Sequence, residues 1–174
     1  MTEKPLKKEG MFDLREAINR LEKKEEWGPG PWQSEPDRLE FEHAGFPCLL
    51  LRNMDVTGAW CGYVGVPKGH LFFEKDYSDV EQNVEVHWGL TYSGHCAGDI
   101  CHEPKEGEPD NVWWLGFDCS HGLDLMPLLL AKESVLLGAG RRKCIGKYRT
   151  MDYAKAETMK LAEQLQKLVK VSDF

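Results

Sequence analysis

Apolar residues recur near the start of the chain at helical spacing. Met11, Leu14, Ile18 and Leu21 are separated by charged residues, which predicts an amphipathic helix over 11–24. Gly28-Pro29-Gly30-Pro31 ends that pattern and reads as a linker. From Arg38 the period changes. Short apolar runs rich in aromatic and β-branched residues predict strands at Leu39–His43, Pro47–Arg52, Ala59–Gly65, Val84–Trp88, Leu90–Tyr92 and Val112–Phe117. Pro36-Asp37, Ala44-Gly45, Thr57-Gly58 and Pro67-Lys68-Gly69 supply turns between them, and the polar stretch Asp99–Asn111 predicts an exposed loop.

Helical spacing returns towards the C-terminus. Pro127 predicts the start of a short helix through Leu137, stopped by Gly138-Ala139-Gly140. Ala154, Leu161, Leu165 and Leu168 then share one face of a longer helix, continued by Met151 and Thr158, with Thr150 or Asp152 available to cap it. A strict strand–helix alternation is absent, which argues against a doubly wound nucleotide-binding fold. The expectation is an α+β domain: one antiparallel or mixed sheet with helices packed on one face and amphipathic helices at both ends. Residues 1–30 form the N-terminal helix and Gly-Pro linker, and residues 31–174 one domain.

Composition narrows the functional classes. A chain of 174 residues, 41% hydrophobic and 29% charged, is that of a single globular domain. The longest aliphatic cluster, Leu128-Leu129-Leu130-Ala131, is far shorter than a membrane span, and the polar start Met1–Lys8 does not have the apolar core of a signal peptide. These features predict a cytoplasmic protein with no membrane partner. A net charge of −7 argues against a nucleic-acid partner, and Arg141-Arg142-Lys143 reads as a solvated loop. Six cysteines in such a chain are expected to be thiols or metal ligands, not a disulfide framework.

Chemistry-bearing residues concentrate between Trp60 and His121, which hold five of the six histidines, four of the six cysteines and four of the six tryptophans. Cys96, Cys101, His102, Cys119 and His121 offer the thiolate and imidazole donors that zinc favours, although their spacing matches no standard zinc motif. Cys119 or Ser120, between Asp118 and His121, offers a nucleophile with His87 or His102 as base. Strand alternation sends Asp118 and Ser120 one way and Cys119 and His121 the other, which weakens that arrangement. Gly62, Gly65 and Gly69 with Lys68 and His70 look like a phosphate loop, but Pro67 removes a backbone donor. Adjacent Trp113 and Trp114 must face opposite sides of their strand, so one of them needs a pocket or the surface.

Several strings carry a wider likeness: Glu35-Pro36-Asp37-Arg38, Cys61-Gly62-Tyr63-Val64-Gly65-Val66-Pro67, Val86-His87-Trp88-Gly89-Leu90-Thr91-Tyr92, and Trp113-Trp114 followed by Gly116-Phe117-Asp118-Cys119-Ser120-His121 and Asp124. With Tyr148-Arg149 and the closing helix from Tyr153, they resemble a family of hypothetical proteins found in bacteriophages and bacterial genomes. The resemblance covers roughly residues 32 to 168. It implies an accessory role inside a bacterial host cell, such as interception of a host factor or of a nucleotide signal used in defence. Where that family has His-Gly-Gly, this chain has His87-Trp88-Gly89.

The residue pattern and the resemblance together predict a non-enzymatic binding protein for a small polar or anionic, nucleotide-like ligand. Its site is expected among Tyr63, Lys68, His70, His87, Trp88, Tyr92, His102, Asp118, His121 and Arg149, with no cofactor. Pairing of subunits through the terminal helices could complete such a site. Two alternatives stand beside it. One is a zinc- or Cys/His-dependent hydrolase using Cys101, His102, Asp118, Cys119 and His121. The other is a protein-binding module that uses the N-terminal helix.

Overall fold

A computed structural model describes Leu14, Arg15, Ile18 and residues 23–138 and 146–169. Its centre is one five-stranded antiparallel sheet in the order β1-β2-β3-β5-β4. The strands are β1 (Arg38–His43), β2 (Phe46–Arg52), β3 (Trp60–Pro67), β4 (Tyr92–Gly94) and β5 (Val112–Asp118). Ala44 and Gly45 both have positive φ and close the β1–β2 hairpin in two residues, the geometry that matches strand twist. Against the sheet and around it lie the helices α1 (Tyr77–Val80), α2 (Pro127–Leu137) and α3 (Met151–Val169). This is the expected α+β class.

Alternation along β3 and β5 sorts the core into two layers. Val64, Val66, Leu115 and Phe117 face α3 and pack with its buried Leu161, Ala162 and Leu165. Cys61, Tyr63, Val112 and Trp114 face the other way, with Leu49 and Ile100. Gly62 permits the close crossing of α3, because a Cβ there would collide with Thr158 and Phe117. That explains this glycine without a phosphate loop. The Pro67–His70 turn also forms, with His70 N donating to Pro67 O at 3.0 Å.

Two predicted strands need correction. Val84–Trp88 does not join the sheet, and the strand expected at Leu90–Tyr92 begins at Tyr92 and runs to Gly94. The backbone of Glu85 instead bonds a helix side chain: its N–H donates to Gln164 Oε1 (2.7 Å), and its carbonyl accepts from Gln164 Nε2 (2.9 Å). One glutamine on α3 thus replaces a neighbouring strand. Of the N-terminal helix, Leu14, Arg15 and Ile18 are helical, and the rest of the predicted segment up to residue 22 lies outside the described residues. So does Arg141-Arg142-Lys143. The Gly28–Pro31 stretch is held by packing: Trp27 and Trp32 are buried against Leu128 of α2. No described helix is long and apolar enough to cross a membrane.

A buried ion pair joins these parts. The Arg52 side chain is fully covered at the end of β2, where it donates to Glu35 (2.8 Å), Asp37 (2.7 Å), the Gly58 carbonyl (2.9 Å) and the Tyr148 hydroxyl (2.9 Å). Its guanidinium lies 4.3 Å from the centre of the Trp60 ring. Glu35 also accepts from Trp60 Nε1 (3.0 Å), from Tyr148 and from the first backbone N–H of α3 at Met151 (2.8 Å). Burial alone would raise the Glu35 pKa, but the bonds from Tyr148, Met151, Trp60 and Arg52 outweigh it and hold the carboxyl below its ordinary 4.5.

Arg52→Ala should destabilise the protein by about 3–5 kcal/mol, because it strips the Glu35 carboxylate of its counter-ion in a covered site. Urea unfolding at neutral pH measures this, and a loss below about 1 kcal/mol would remove the pair from its central role. The pH dependence has a defined sign. Since the folded-state pKa of Glu35 lies below its unfolded value, its contribution is complete above about pH 4.5 and is lost as pH falls through the lowered value. Glu35→Gln should therefore cost stability near pH 7, with the gap from the parent shrinking in acid. A gap independent of pH would contradict the assignment.

Candidate functional site

Three loops and the first turn of α3 meet beyond the end of β5. Backbone bonds hold Lys147 beside the 123–125 loop, with Leu125 N donating to Lys147 O (3.0 Å) and Lys147 N to Leu123 O (2.9 Å). Gly146 allows that approach, since a Cβ would strike the Asp124 and Leu125 backbone at 2.6–2.8 Å. The 118–124 segment turns through Asp118 Oδ1, which accepts from Ser120 N (2.9 Å), and Asp124 N, which donates to His121 O (2.8 Å). This turn cancels the alternation expected past β5. His121 lies 3.9 Å from Asp118 rather than across the sheet from it.

Asp124 is the centre of the cluster. Its side chain is fully buried and is met from three separate segments. Oδ1 accepts from Arg149 Nε (2.8 Å), while Oδ2 accepts from the His121 backbone N–H (3.1 Å) and faces His87 Nε2 (2.8 Å). The other His87 nitrogen, Nδ1, is bonded to the Tyr153 hydroxyl (2.8 Å). Arg149 lies over the Tyr153 ring, 4.8 Å from its centre. Burial alone would raise the Asp124 pKa. Its bonds from Arg149, His87 and the His121 backbone hold the carboxyl below its ordinary range.

Trp88 closes the cluster on its outer side. Gly89 N donates to Val86 O (3.1 Å), so Val86–Gly89 is a four-residue turn with Trp88 in its third position. Trp88 has a φ of +56°, in the left-handed region that favours glycine at such a position. The ring stacks on His121, with centroids 5.7 Å apart and planes at 19°, yet Trp88 remains 62% exposed. A bulky aromatic is thus held in a strained backbone and left open to solvent.

The structure gathers part of the predicted ligand set and disperses the rest. His87, Trp88, Asp118, His121 and Arg149 meet here. Tyr63 and Tyr92 pack edge to face with each other in the layer away from α3. Lys68 follows the far end of β3, seven residues beyond Cys61, a run of about 23 Å in an extended strand. His70 is buried, with Nε2 bonded to Leu165 O (3.1 Å). His102 lies against Trp114 and borders a separate cleft of about 150 Å³ that also includes Glu40, Glu42 and Glu103. Trp114 is the tryptophan that goes to the core, whereas Trp113 reaches out to donate to Lys75 O (2.8 Å).

The cysteine readings change as well. Cys96 and Cys101 form a disulfide, in contrast to the thiols or thiolate ligands expected. Paired backbone bonds between Ala97 and Ile100 bring their Cα atoms to 4.7 Å, within disulfide range. Cys119 is buried, and that burial pushes its thiol pKa up; the same effect drives Cys61 to about 12. Neither supplies a thiolate at neutral pH. Sequence reasoning misses Asp124 and Tyr153 as members of the site. Both stand in the strings quoted for the resemblance, but nothing in those strings marks either as a site residue.

The strain at Trp88 has a direct test. Trp88→Gly and Trp88→Ala both remove the stacked ring, but only glycine accepts the left-handed backbone without steric strain. The glycine variant should be more stable than the alanine variant by about 1 kcal/mol in urea unfolding. Equal stabilities would show that the turn is free to relax.

Comparison with protein-family models, with curated proteins and with solved structures finds no match to this chain.

Proposed function

We propose that the protein captures a small anionic ligand with a planar, nucleotide-like part, and holds it without turnover at the Trp88–His121–Arg149 face. The observation that carries this reading is Trp88 itself. A ring kept 62% exposed on a strained turn presents a flat face beside a guanidinium anchored by a buried carboxylate. Stacking on that face and charge-assisted bonds from Arg149 and His121 are the interactions such a ligand needs. The buried, undissociated thiols Cys61 and Cys119 support binding over thiol-based hydrolysis.

The motif resemblance supports an accessory role in a bacteriophage setting, where holding a host-defence signalling nucleotide intact would silence it. In the resembled family glycine takes the place of Trp88, so the aromatic face is a feature of this chain's version of the site.

Exposure of the protein to a mixture of mono-, di- and cyclic nucleotides, followed by mass spectrometry, tests the proposal. An intact compound should be retained, and Trp88→Gly should weaken its binding by about 5- to 150-fold, the loss of one stacking contact of about 1–3 kcal/mol. Recovery of altered products would replace capture with catalysis. Retention of no compound would sink the proposal.

A further inference from the structure

Among the described residues, His87, His121 and Asp124 bring one ligand atom each within 4.8 Å of the others. Their chemistry is two imidazoles and one carboxylate, the donors of open zinc-type sites in which three protein ligands leave a position free. His87 Nε2 and Asp124 Oδ2 are 2.8 Å apart, and His121 Nδ1 is 3.6 Å from the same oxygen. Donors on one metal ion with bonds of about 2.0–2.2 Å lie about 3–3.5 Å apart, and the two distances to Asp124 Oδ2 bracket that range.

A second observation is independent of this spacing. His121 Nδ1 is shielded from solvent, lies near Asp124 and Asp118, and has no hydrogen-bond partner. Orphaned buried nitrogens are costly, and a metal ion would complete this one. The outer contacts also suit coordination. Arg149 occupies Asp124 Oδ1, and Oδ2, which accepts from the His121 backbone N–H, has a further lone pair for the ion. An ion bound at His87 Nε2 would displace the proton now shared with Asp124, and the Tyr153 hydroxyl can then accept a hydrogen bond from His87 Nδ1–H.

We infer that His87 Nε2, His121 Nδ1 and Asp124 Oδ2 form a binding site for one divalent ion of the zinc class, with a coordination position left open to an anionic oxygen. The inference shares the cluster proposed above to capture the ligand, and the ion would grip that ligand's anionic end. It differs from the zinc set expected from the sequence by using no sulfur. Arg149 adds positive charge nearby, and Asp118, 3.9 Å from His121 Nδ1, partly offsets it.

The test uses the full chain, stripped of metal with a chelator and titrated with Zn²⁺ and Co²⁺ alone, with bound metal counted after equilibrium dialysis. One ion per chain is expected, with the visible absorption of nitrogen- and oxygen-bound cobalt and without the near-ultraviolet band of cobalt–thiolate bonds. His121→Gln keeps the His87–Tyr153 and Asp124–Arg149 pairs, so circular dichroism should show an intact fold while affinity falls at least about tenfold. Tyr153→Phe should weaken binding by about 10- to 100-fold, as loss of an outer-shell partner does. Trp88→Gly should retain the ion even where nucleotide capture is lost, which separates failure of the ligand reading from failure of this one. Absence of stoichiometric metal, thiolate absorption, or unchanged affinity in His121→Gln would each overturn the inference.

Discussion

A guanidinium with no exposed surface at the end of a central strand constrains everything around it. Removed from water, Arg52 is tolerable only because Glu35, Asp37, Tyr148 and the Gly58 carbonyl meet its donors and the Trp60 ring covers its face. Those partners come from the segment before β1, the turn before β3, β3 itself and the approach to α3. Each must hold its place for the charge to be satisfied. A buried pair of this kind adds little net stability over an apolar substitute, but it is intolerant of misplacement. It thereby specifies where the segments before β1 and before α3 meet the sheet.

The same constraint positions the candidate site through the segment from Lys147 to Met151. Lys147 bonds backbone to backbone with the 123–125 loop, and Tyr148 reaches the Arg52–Glu35 pair. Arg149 then reaches Asp124, Thr150 Oγ1 accepts from Tyr153 N (3.2 Å), and Met151 N donates to Glu35. The segment thus bonds to the structural hub through Tyr148 and Met151 and to the site through Lys147 and Arg149. Glu35 fixes the first turn of α3, and that turn carries Tyr153 to His87. A change at the hub should therefore reach the site by moving α3, without any direct bond from Arg52 or Glu35 to Asp124.

Features governed by local chemistry are legible in the sequence. The Ala44-Gly45 hairpin, the Pro127 start and Gly138 end of α2, and the buried stripe Ala154, Thr158, Leu161, Leu165 on α3 all follow from neighbours a few residues apart. Local pattern fails where a distant side chain decides the outcome. Val84–Trp88 has strand composition, but Gln164 on α3 takes the backbone bonds of Glu85. Alternation places Asp118, Cys119, Ser120 and His121 on opposite faces, and the turn bonded to Asp124 cancels that rule. Tyr63, Lys68, His70, Tyr92 and His102 share residue type with the site but not place. Asp124 and Tyr153 carry no local signal that could single them out, because a lone aspartate in a loop and a tyrosine on a helix are common.

Two touching residues each carry a structural cost. Trp88 occupies a backbone conformation that glycine would adopt freely, and His121 keeps a buried ring nitrogen without a partner. Each cost has parallels among the described residues. Ala44 and Glu74 also have positive φ, and His102 and Trp114 have unpartnered ring nitrogens of their own. The difference lies in what surrounds them. Ala44 closes a hairpin that needs its conformation, whereas the turn at Trp88 would form more readily with glycine and instead holds a large exposed ring. Strain and unmet polarity each lower stability, and here they meet at one stacked pair. The stack is beside a fully buried carboxylate already fixed by a guanidinium and two loops. A partner arriving there would meet preorganised groups and would supply what both residues are missing: a surface for the ring and a lone-pair acceptor for the nitrogen.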